Sequence, residues 1–395
     1  MPDFFGAPYW ILILLAVTCV SWLVQTCLRS GVWGRPLSHA RREERGQVPF
    51  TESQPPVSVV VYAHNQAEEL LRNLPVLLDS HYPTFEVIVV DDGSTDETDN
   101  VMTQMEQRAL NFFHTSIAQK VRTVSHRKLA MMLGVKAAHY DIILMTQAQC
   151  MPASADWIAR MVRNFTPRTD VVVGPMAFEG RTGLMNRFYQ WDLFERMNEM
   201  MALTLAVQPY GGWGQNLAFR KEVFFANHNE GFSRHLNVQP GEDDLFVADV
   251  RHNRNIAVEC SEAAMIINQV SPLRYWWKKD RLNRAFTSQQ YALASRLVKH
   301  LDSATRFLFL LPAWAVLAYA VWRQMWLLAG IVALLLLLHG LQVALVPHAL
   351  AKRLGLHRYL FSPLVCELLT PLVNVQYRLK ALFSSRDFYV AHIGK

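Results

Sequence analysis

The sequence predicts an α/β domain with a doubly wound, mostly parallel sheet, in a chain that also carries transmembrane helices. Three observations lead to this fold class. Short β-branched runs alternate with segments of helical spacing between residues 57 and 145, which is typical of parallel strands joined by helices. Polar residues follow the predicted strands, where sheets of this class bind their ligands. Runs without a charged residue at 9–28, 307–322 and 325–346 predict membrane-spanning helices.

The first strand–helix–strand unit runs over residues 57–62, 67–78 and 85–90. Its strands are rich in Val and Ile, and the leucines of the middle segment share one side of a helix. This order predicts two parallel strands joined by a crossover helix. The alternation then continues with a helix at 102–110, a strand at 121–124, a helix at 128–138 and a strand at 141–145.

The first uncharged run predicts a transmembrane anchor over residues 1–30. The basic residues that follow it are Arg29, Arg35, Arg41, Arg42 and Arg45. Because Lys and Arg near a membrane helix stay on the cytosolic side, residues 31–54 are expected to form a basic cytosolic linker. The domain after this linker is therefore expected in the cytosol as well.

The later uncharged runs predict a transmembrane hairpin over 305–348 with a very short outer turn. Arg306 precedes the hairpin and Lys352 follows it, so both of its ends are expected in the cytosol. Prolines and charges interrupt the remaining segment, 349–395, which we expect to lie in the membrane interface. Residues 55–300, which lie between the anchor and the hairpin, are predicted to form one globular domain.

The composition supports a membrane protein and argues against a nucleic-acid partner. Hydrophobic residues make up 51% of the chain and charged residues only 18%, against about a quarter charged in soluble domains. The net charge of +6 is mild for this length and is not concentrated in one basic run. The five cysteines are odd in number and have no CxxC spacing, which favours reduced thiols over disulfides or a zinc site.

Candidate site residues follow the predicted strands. Ala63 and Asn65 come after the first strand, and Asp91 and Asp92 come after the second. An acidic pair at a strand end suits a loop that accepts hydrogen bonds from a base or a ribose. An ordinary Asp/Gly turn capped by Ser94 explains the same residues equally well.

Further along, several motifs occur in a fixed order: Gln-Ala-Gln at 147–149, a Gly-rich segment at 211–221, Gly-Glu-Asp-Asp at 241–244 and Arg-Leu-Asn-Arg-Ala-Phe at 281–286. Together with the strand ends, they resemble the family 2 glycosyltransferases with a GT-A fold. The resemblance covers residues 55–284. The flanking helices are similar to those of the bacterial integral-membrane branch of that family.

The resemblance implies a role for each matching residue. Positions that hold the nucleoside part of a nucleotide-sugar are matched by Ala63, Asn65, Asp91 and Asp92. A basic pair at the start of the third helix is matched by Arg127 and Lys128, where the helix N-terminus can also favour phosphate. The motif that contacts the diphosphate and the acceptor entry is matched by Arg281 and Arg284. Positions beside the acceptor are matched by Gly212, Gly214 and Asn216. Asp243, next to Glu242, matches the general base that removes a proton from the acceptor hydroxyl.

The metal site departs from the family pattern, and in the motif at 281–286 Ala285 replaces the family's Trp and Arg281 its commoner Gln. Gln147 and Gln149 stand where the family has the two aspartates of its DxD metal site. Divalent Mg²⁺ or Mn²⁺ is the family's usual cofactor, and these hard cations prefer carboxylate oxygens. Weak or absent metal binding is therefore expected, and two outcomes stay open: transfer without a metal, in which Gln amides donate to phosphate oxygens, or a pseudo-enzyme that binds without transferring.

The function implied by the resemblance is sugar transfer from a nucleotide-diphospho-sugar to a lipid-linked or glycan acceptor, with inversion. The implied location is the cytosolic face of the bacterial inner membrane, in a multi-pass protein of polysaccharide or cell-envelope biosynthesis. The alternative is a binding or scaffold subunit in polysaccharide assembly.

Overall fold

An α/β domain lies between an N-terminal helix and three C-terminal helices. The computed structural model describes residues 8–117, 126–180, 182–209, 211–225, 246–248, 250, 255–270, 272–288, 291–356, 359 and 362–383.

The N-terminal helix α1 (Tyr9–Leu28) does not end at the predicted membrane boundary. It continues through a π-helical turn (Arg29–Trp33) into helix α2 (Arg35–Glu44). The predicted linker 31–54 is thus helical as far as Glu44, because one side of α2 has apolar residues to bury. Leu37 and Ala40 on that side pack into a buried cluster of the domain.

Two polar contacts fasten the end of α2 to the domain. Glu43 pairs with Arg163 at 3.3 Å and accepts a hydrogen bond from the backbone N–H of Cys260 at 3.3 Å. Burial raises the pKa of the Glu43 carboxyl, while His39 and Arg163 act in the opposite direction. The α2 segment is therefore part of the domain rather than a tether.

The predicted alternation of strands and helices is present from residue 57 onward. Its elements are β1 (Val57–Ala63), α3 (Ala67–Leu78), β2 (Phe85–Asp91), α4 (Thr98–Arg108), β3 (Phe112–Ser116), α5 (His126–Ala137) and β4 (Ile142–Gln147). Strand β1 shows why the sheet is doubly wound. Val59 and Val61 join the cluster that contains Leu70 of α3, while Val60 joins the cluster that contains Met131 of α5.

One strand differs from the sequence prediction. The edge strand next to β2 is Phe112–Ser116, which the sequence analysis did not predict. The strand predicted at 121–124 lies outside the described residues. The helix predicted at 102–110 begins earlier, at Thr98, whose backbone N–H donates to the Asp96 carboxylate at 3.1 Å.

The second half of the domain adds short strands and a long helix. Its elements are β5 (Cys150–Pro152), α6 (Trp157–Val162), β6 (Thr169–Val173), β7 (Met176–Phe178), α7 (Leu184–Ala206), β8 (Leu217–Arg220), α8 (Lys221–Phe225), β9 (Asn255–Val258) and β10 (Ile266–Asn268). The main sheet has the order β3-β2-β1-β4-β8-β6-β9, and β5-β10-β7 form a smaller sheet. Only β8 runs antiparallel to its neighbours in the main sheet, so the prediction of a mostly parallel doubly wound sheet is confirmed.

The C-terminal part is helical. Helix α9 (Leu273–Thr287) is followed by α10 (Leu293–Trp322), α11 (Trp326–Arg353) and α12 (Ser362–Phe383). Among the described residues, three helices are long and apolar enough to cross a membrane: Tyr9–Glu44, Leu293–Trp322 and Trp326–Arg353. Three residues join α10 to α11. Helix α12 contacts α7, α9, α10 and α11.

Candidate active site

Strands β1, β2 and β4 end at the same edge of the main sheet. In the parallel register Ala63 lies opposite Asp91, and Tyr62 lies opposite Gln147. The loops that follow the three strands therefore meet, as expected for a parallel sheet. We call residues 62–66, 91–95 and 147–149 the strand-end site.

The acidic pair after β2 shapes a tight turn. The Asp91 carboxylate accepts hydrogen bonds from the backbone N–H and the hydroxyl of Ser94, and Gly93 has a positive φ of 65°. Asp91 and Ser94 thus form the capped Asp/Gly turn that the sequence analysis gave as one of two explanations. The neighbouring Asp92 carboxylate accepts a hydrogen bond from the Tyr62 hydroxyl at 2.7 Å.

Asn65 joins the loop after β1 to the loop after β2. The side-chain oxygen of Asn65 accepts a hydrogen bond from the backbone N–H of Thr95 at 2.8 Å. The backbone N–H of Asn65 donates to the Ser94 hydroxyl oxygen at 2.8 Å. Its φ of 51° is left-handed, a region that Asn tolerates better than most residues. Ala63 is fully buried, and its carbonyl accepts the N–H of Asp92 at 2.9 Å.

Four glutamine side chains form a continuous hydrogen-bonded chain at the end of β4. The Gln66 amide donates to the Gln149 oxygen at 2.9 Å, and the Gln149 amide donates to the Gln147 oxygen at 2.7 Å. Gln215 donates to the same Gln147 oxygen at 3.3 Å. Gln147 and Gln149 are each 3% exposed. We call these four residues the amide chain.

The amide chain does not fit a divalent cation. The side-chain oxygens of Gln147 and Gln149 both accept N–H donors. They are also neutral, whereas Mg²⁺ and Mn²⁺ favour carboxylates. Within the ranges given above, no group of three or more His, Cys, Asp or Glu side chains is placed to hold a metal ion.

Positive charge reaches this edge of the sheet from α5. A small cavity is lined by Tyr62, Arg127, Gln147 and Gly214, and the Arg127 guanidinium carbon lies 5.5 Å from the centre of the Tyr62 ring. Lys128, the next residue, is 1% exposed. Both lie in the first turn of α5, and a helix N-terminus favours bound phosphate.

The cysteine after the amide chain is not available as a nucleophile. Cys150 is fully buried, and this burial raises the pKa of its thiol to about 12. The thiol therefore stays protonated at neutral pH, and only the thiolate is reactive.

Two glycines of the Gly-rich segment have different surroundings. Gly214 lines the small cavity, whereas a Cβ added at Gly212 would lie 2.7 Å from a methyl of Val247. Asn216 is fully buried; its oxygen accepts the Trp157 indole N–H at 3.0 Å, and its amide donates to two backbone carbonyls. Asn216 is therefore enclosed by the domain, and the acceptor-side role expected for it stays a prediction.

The two arginines of α9 are engaged away from the strand ends. Arg281 is 3% exposed and donates through two nitrogens to Asp192 of α7, with one bond of 2.7 Å. Trp277 donates to the same carboxylate at 2.7 Å. Arg284 pairs with Asp280 at 2.8 Å and lies 3.7 Å from Asp192. The contacts with a diphosphate and with the acceptor entry that were expected for Arg281 and Arg284 stay predictions.

The predicted general base lies outside the described residues. Asp243 and its neighbour Glu242 fall within 241–245, so their roles stay predictions. Gln147 and Gln149 lie at the end of β4, where the sequence placed them, and Lys128 lies in the first turn of α5. Gln66 and Gln215 were missed, although their amide side chains next to the predicted site residues were the available signal.

Comparison with known proteins adds the family. Residues 58–225 match the family model described as glycosyl transferase family 2. These residues form a glycosyl transferase family 2 domain. The match begins in β1 and ends at the last residue of α8, so it includes the strand-end site and the amide chain. No curated protein sequence matches the chain.

Several solved structures resemble this chain. The mannosyltransferase PcManGT from Pyrobaculum calidifontis, in complex with GDP-Man and Mn²⁺, is 19% identical with a TM-score of 0.48, over 88% of this chain and 98% of that one. TarS from S. aureus is 21% identical with a TM-score of 0.40, over 65% of this chain and 43% of TarS. Residues 1–349 of TarS are 18% identical with a TM-score of 0.40, over 82% and 92% of the two chains.

Proposed function

We propose that the protein transfers a sugar from a nucleotide-diphospho-sugar to a lipid-linked or glycan acceptor at the cytosolic face of a bacterial inner membrane. The observation that carries this proposal is the family 2 domain at 58–225, whose strand-end site places Asp92 and Gln147 at one edge of the sheet, next to Arg127 of α5. Three helices long and apolar enough to cross a membrane flank the domain.

The donor would bind with its nucleoside over the strand-end loops and its diphosphate near the first turn of α5. Asp92 offers a carboxylate acceptor for ribose or base N–H and O–H groups. The guanidinium of Arg127 offers the fork-shaped donor set that suits phosphate oxygens. Asn65 and Asp91 act by fixing the shape of the loops that carry these groups.

The proposed reaction is an inverting displacement with Asp243 as general base. The base takes the proton of the acceptor hydroxyl as its oxygen attacks the anomeric carbon. The new glycosidic C–O bond forms on one face of the sugar while the bond to the diphosphate breaks on the other, and the diphosphate leaves with the electron pair. Cations and N–H donors must stabilise the charge that grows on the leaving group.

We propose that this charge is stabilised without a divalent metal. The amide chain brings no negative charge to the diphosphate, whereas a pair of aspartates would repel it unless a cation lay between them. Arg127, Lys128 and the N-terminus of α5 then supply the positive potential. Within the amide chain, Gln66 holds Gln149 in place and Gln215 holds Gln147 in place.

The test is turnover of a panel of nucleotide-sugars by the full-length protein in lipid nanodiscs. We expect turnover that EDTA leaves unchanged, and strong EDTA inhibition would exclude the metal-free mechanism. Asp243→Asn should lower kcat by about 100-fold or more without weakening nucleotide binding. Asp244→Asn is the matched control, and equal turnover of the two variants would exclude Asp243 as base.

A second candidate function follows from Gln147 and Gln149. Because the metal ligands of the family are replaced there, the domain could bind a nucleotide-sugar without transferring it and act as a scaffold subunit in polysaccharide assembly. Nucleotide binding without turnover of any donor and acceptor in the same assay would favour this scaffold.

A further inference from the structure

A cavity of about 270 Å³ lies where the family 2 domain meets the C-terminal helices. Helices α7, α9, α10 and α12 all contribute to its wall. Its inner end is polar and contains Asp192 and Arg284. Its outer end lies between α10 and α12, at His300 and Arg378. It is separate from the small cavity at the strand-end site.

Basic side chains from two helices meet at the outer end of this cavity. Arg378 of α12 lies 3.4 Å from the His300 ring nitrogen of α10. The positive charges of Arg296 and Lys299 also act on His300. Lys299 pairs with Glu199 at 2.5 Å. An anion bound between the two helices would meet the exposed Arg378 guanidinium and the His300 ring.

The surface around this basic cluster is apolar. Leu297 and Leu301 of α10 are 58% and 47% exposed, and Val375 and Leu379 of α12 are 52% and 50% exposed. On each helix these residues are four apart, so they lie on one face next to the cavity mouth. Exposed leucines beside basic groups are typical of a surface at the boundary between lipid and water.

The cavity has room for an alkyl chain between the two helices. Small residues, Ser303 and Ala304, face it from α10, and Phe307 lies one turn further along. Pro371 and Val375 line the opposite side from α12. A chain here would therefore meet apolar walls at the membrane-facing side and the basic cluster at the mouth.

We propose that this cavity binds the phosphate head group of an anionic membrane lipid. The phosphate contacts Arg378 and His300, and one acyl chain lies along Ala304, Phe307 and Val375. A soluble anion would bind the basic groups at the cavity mouth but would leave the apolar cavity walls exposed to water. A neutral lipid would cover these walls but would not bind the basic groups. The site lies outside the strand-end site and does not depend on the proposed transfer reaction.

The experiment measures retention of phosphatidylglycerol by the full-length protein, using native mass spectrometry after release from nanodiscs. We expect phosphatidylglycerol to be retained in preference to phosphatidylcholine. Arg378→Ala should weaken retention about tenfold, as expected for loss of one charge-assisted contact. Lys352→Ala is the control, because it removes an exposed cation at the end of α11. Equal loss in both variants overturns the proposal.

A second variant separates a lipid from free phosphate. Ala304→Trp fills the apolar part of the cavity and leaves every basic side chain in place. We expect it to lose phosphatidylglycerol while its affinity for inorganic phosphate stays unchanged. If Ala304→Trp retains the lipid as well as the unaltered protein does, the acyl chain does not lie in this cavity and the proposal fails.

Discussion

Amide side chains can form a chain because each one both donates and accepts hydrogen bonds. Gln149 uses both abilities: it accepts from Gln66 and donates to Gln147. An aspartate at position 149 could accept but could not donate, so the link to Gln147 would be lost. The amide chain is therefore an arrangement that aspartates at positions 147 and 149 could not form.

Removal of one donor from the amide chain should destabilise the domain. Gln66→Leu leaves the buried Gln149 oxygen without its N–H donor, at a cost of about 1–3 kcal/mol. We expect a lower midpoint of thermal denaturation and weaker nucleotide binding. Gln107→Leu, on the exposed side of α4, is the control. Identical midpoints for the two variants would show that the chain contributes nothing to stability.

Motif position predicted which residues lie at the strand ends but not what their atoms bond to. Gln147 and Gln149 lie where expected, since a parallel register brings the ends of β1 and β4 together. Asn216 was expected beside an acceptor, yet it is enclosed, because spacing alone does not distinguish a buried amide from an exposed one. Asp192 has no motif around it, and only the folded packing of α7 against α9 brings it to Arg281.

At the scale of elements, a buried ion pair docks α9 on α7. Asp192 accepts from Arg281 and from Trp277, so a single carboxylate holds two side chains of α9. Arg281 also donates to Asn374 of α12. One arginine thus joins three helices.

Breaking this pair should destabilise the domain strongly. Arg281→Met leaves the Asp192 charge buried without its partner, which costs about 3–5 kcal/mol. Arg274→Met changes an exposed arginine of the same helix and should have little effect. Chemical denaturation in detergent measures both variants. A small effect of Arg281→Met would mean that Asp192 is satisfied by other groups.

Helix α7 also carries a carboxyl that should make stability depend on pH. Burial raises the pKa of Glu195 from 4.5 to about 7; Arg306 opposes this rise, and the charge of Glu367 adds to it. Because the folded protein holds this proton more tightly than the unfolded chain does, the resulting stabilisation is complete below about pH 4.5 and is lost as the pH rises through 7.

Glu195→Gln should remove this dependence on pH. The thermal midpoint of the unaltered protein is expected to fall between pH 5 and 7.5, and the midpoint of Glu195→Gln should fall less. Glu106→Gln, an exposed carboxyl on α4, is the control. Parallel curves for all three proteins would assign the pH dependence to other groups.

The success of the element predictions follows from periodicity. Strands β1 and β2 are buried Val-rich runs, and α3 has four buried residues on one side, so their patterns were clear. Strand β3 has the sequence Phe-Phe-His-Thr-Ser and lies at the edge of the sheet, where no second neighbour requires an apolar run. Strands β5, β7 and β10 have three residues each, which is too short for a period to appear.

At the scale of the whole molecule, the basic residues predict one orientation across the membrane. Arg41 and Arg42 follow α1, and Lys352 ends α11, so these ends are expected in the cytosol. A reporter fused after Lys395 should read as cytosolic, and one inserted at Gln324 should read as external. The same compartment for both reporters would contradict the proposed hairpin.

The helical segment from Tyr9 to Glu44, which includes the π-helical turn at Arg29–Trp33, has a mechanical consequence. With α1 in a bilayer, a stiff rod leads from lipid to the sheet, and Glu43 fastens its far end to Arg163. The strand-end site would then stay at a fixed distance from the membrane and in a fixed orientation. If the proposed transfer takes place there, the distance between an acceptor's hydroxyl and the bilayer would decide whether that hydroxyl reaches the strand-end site.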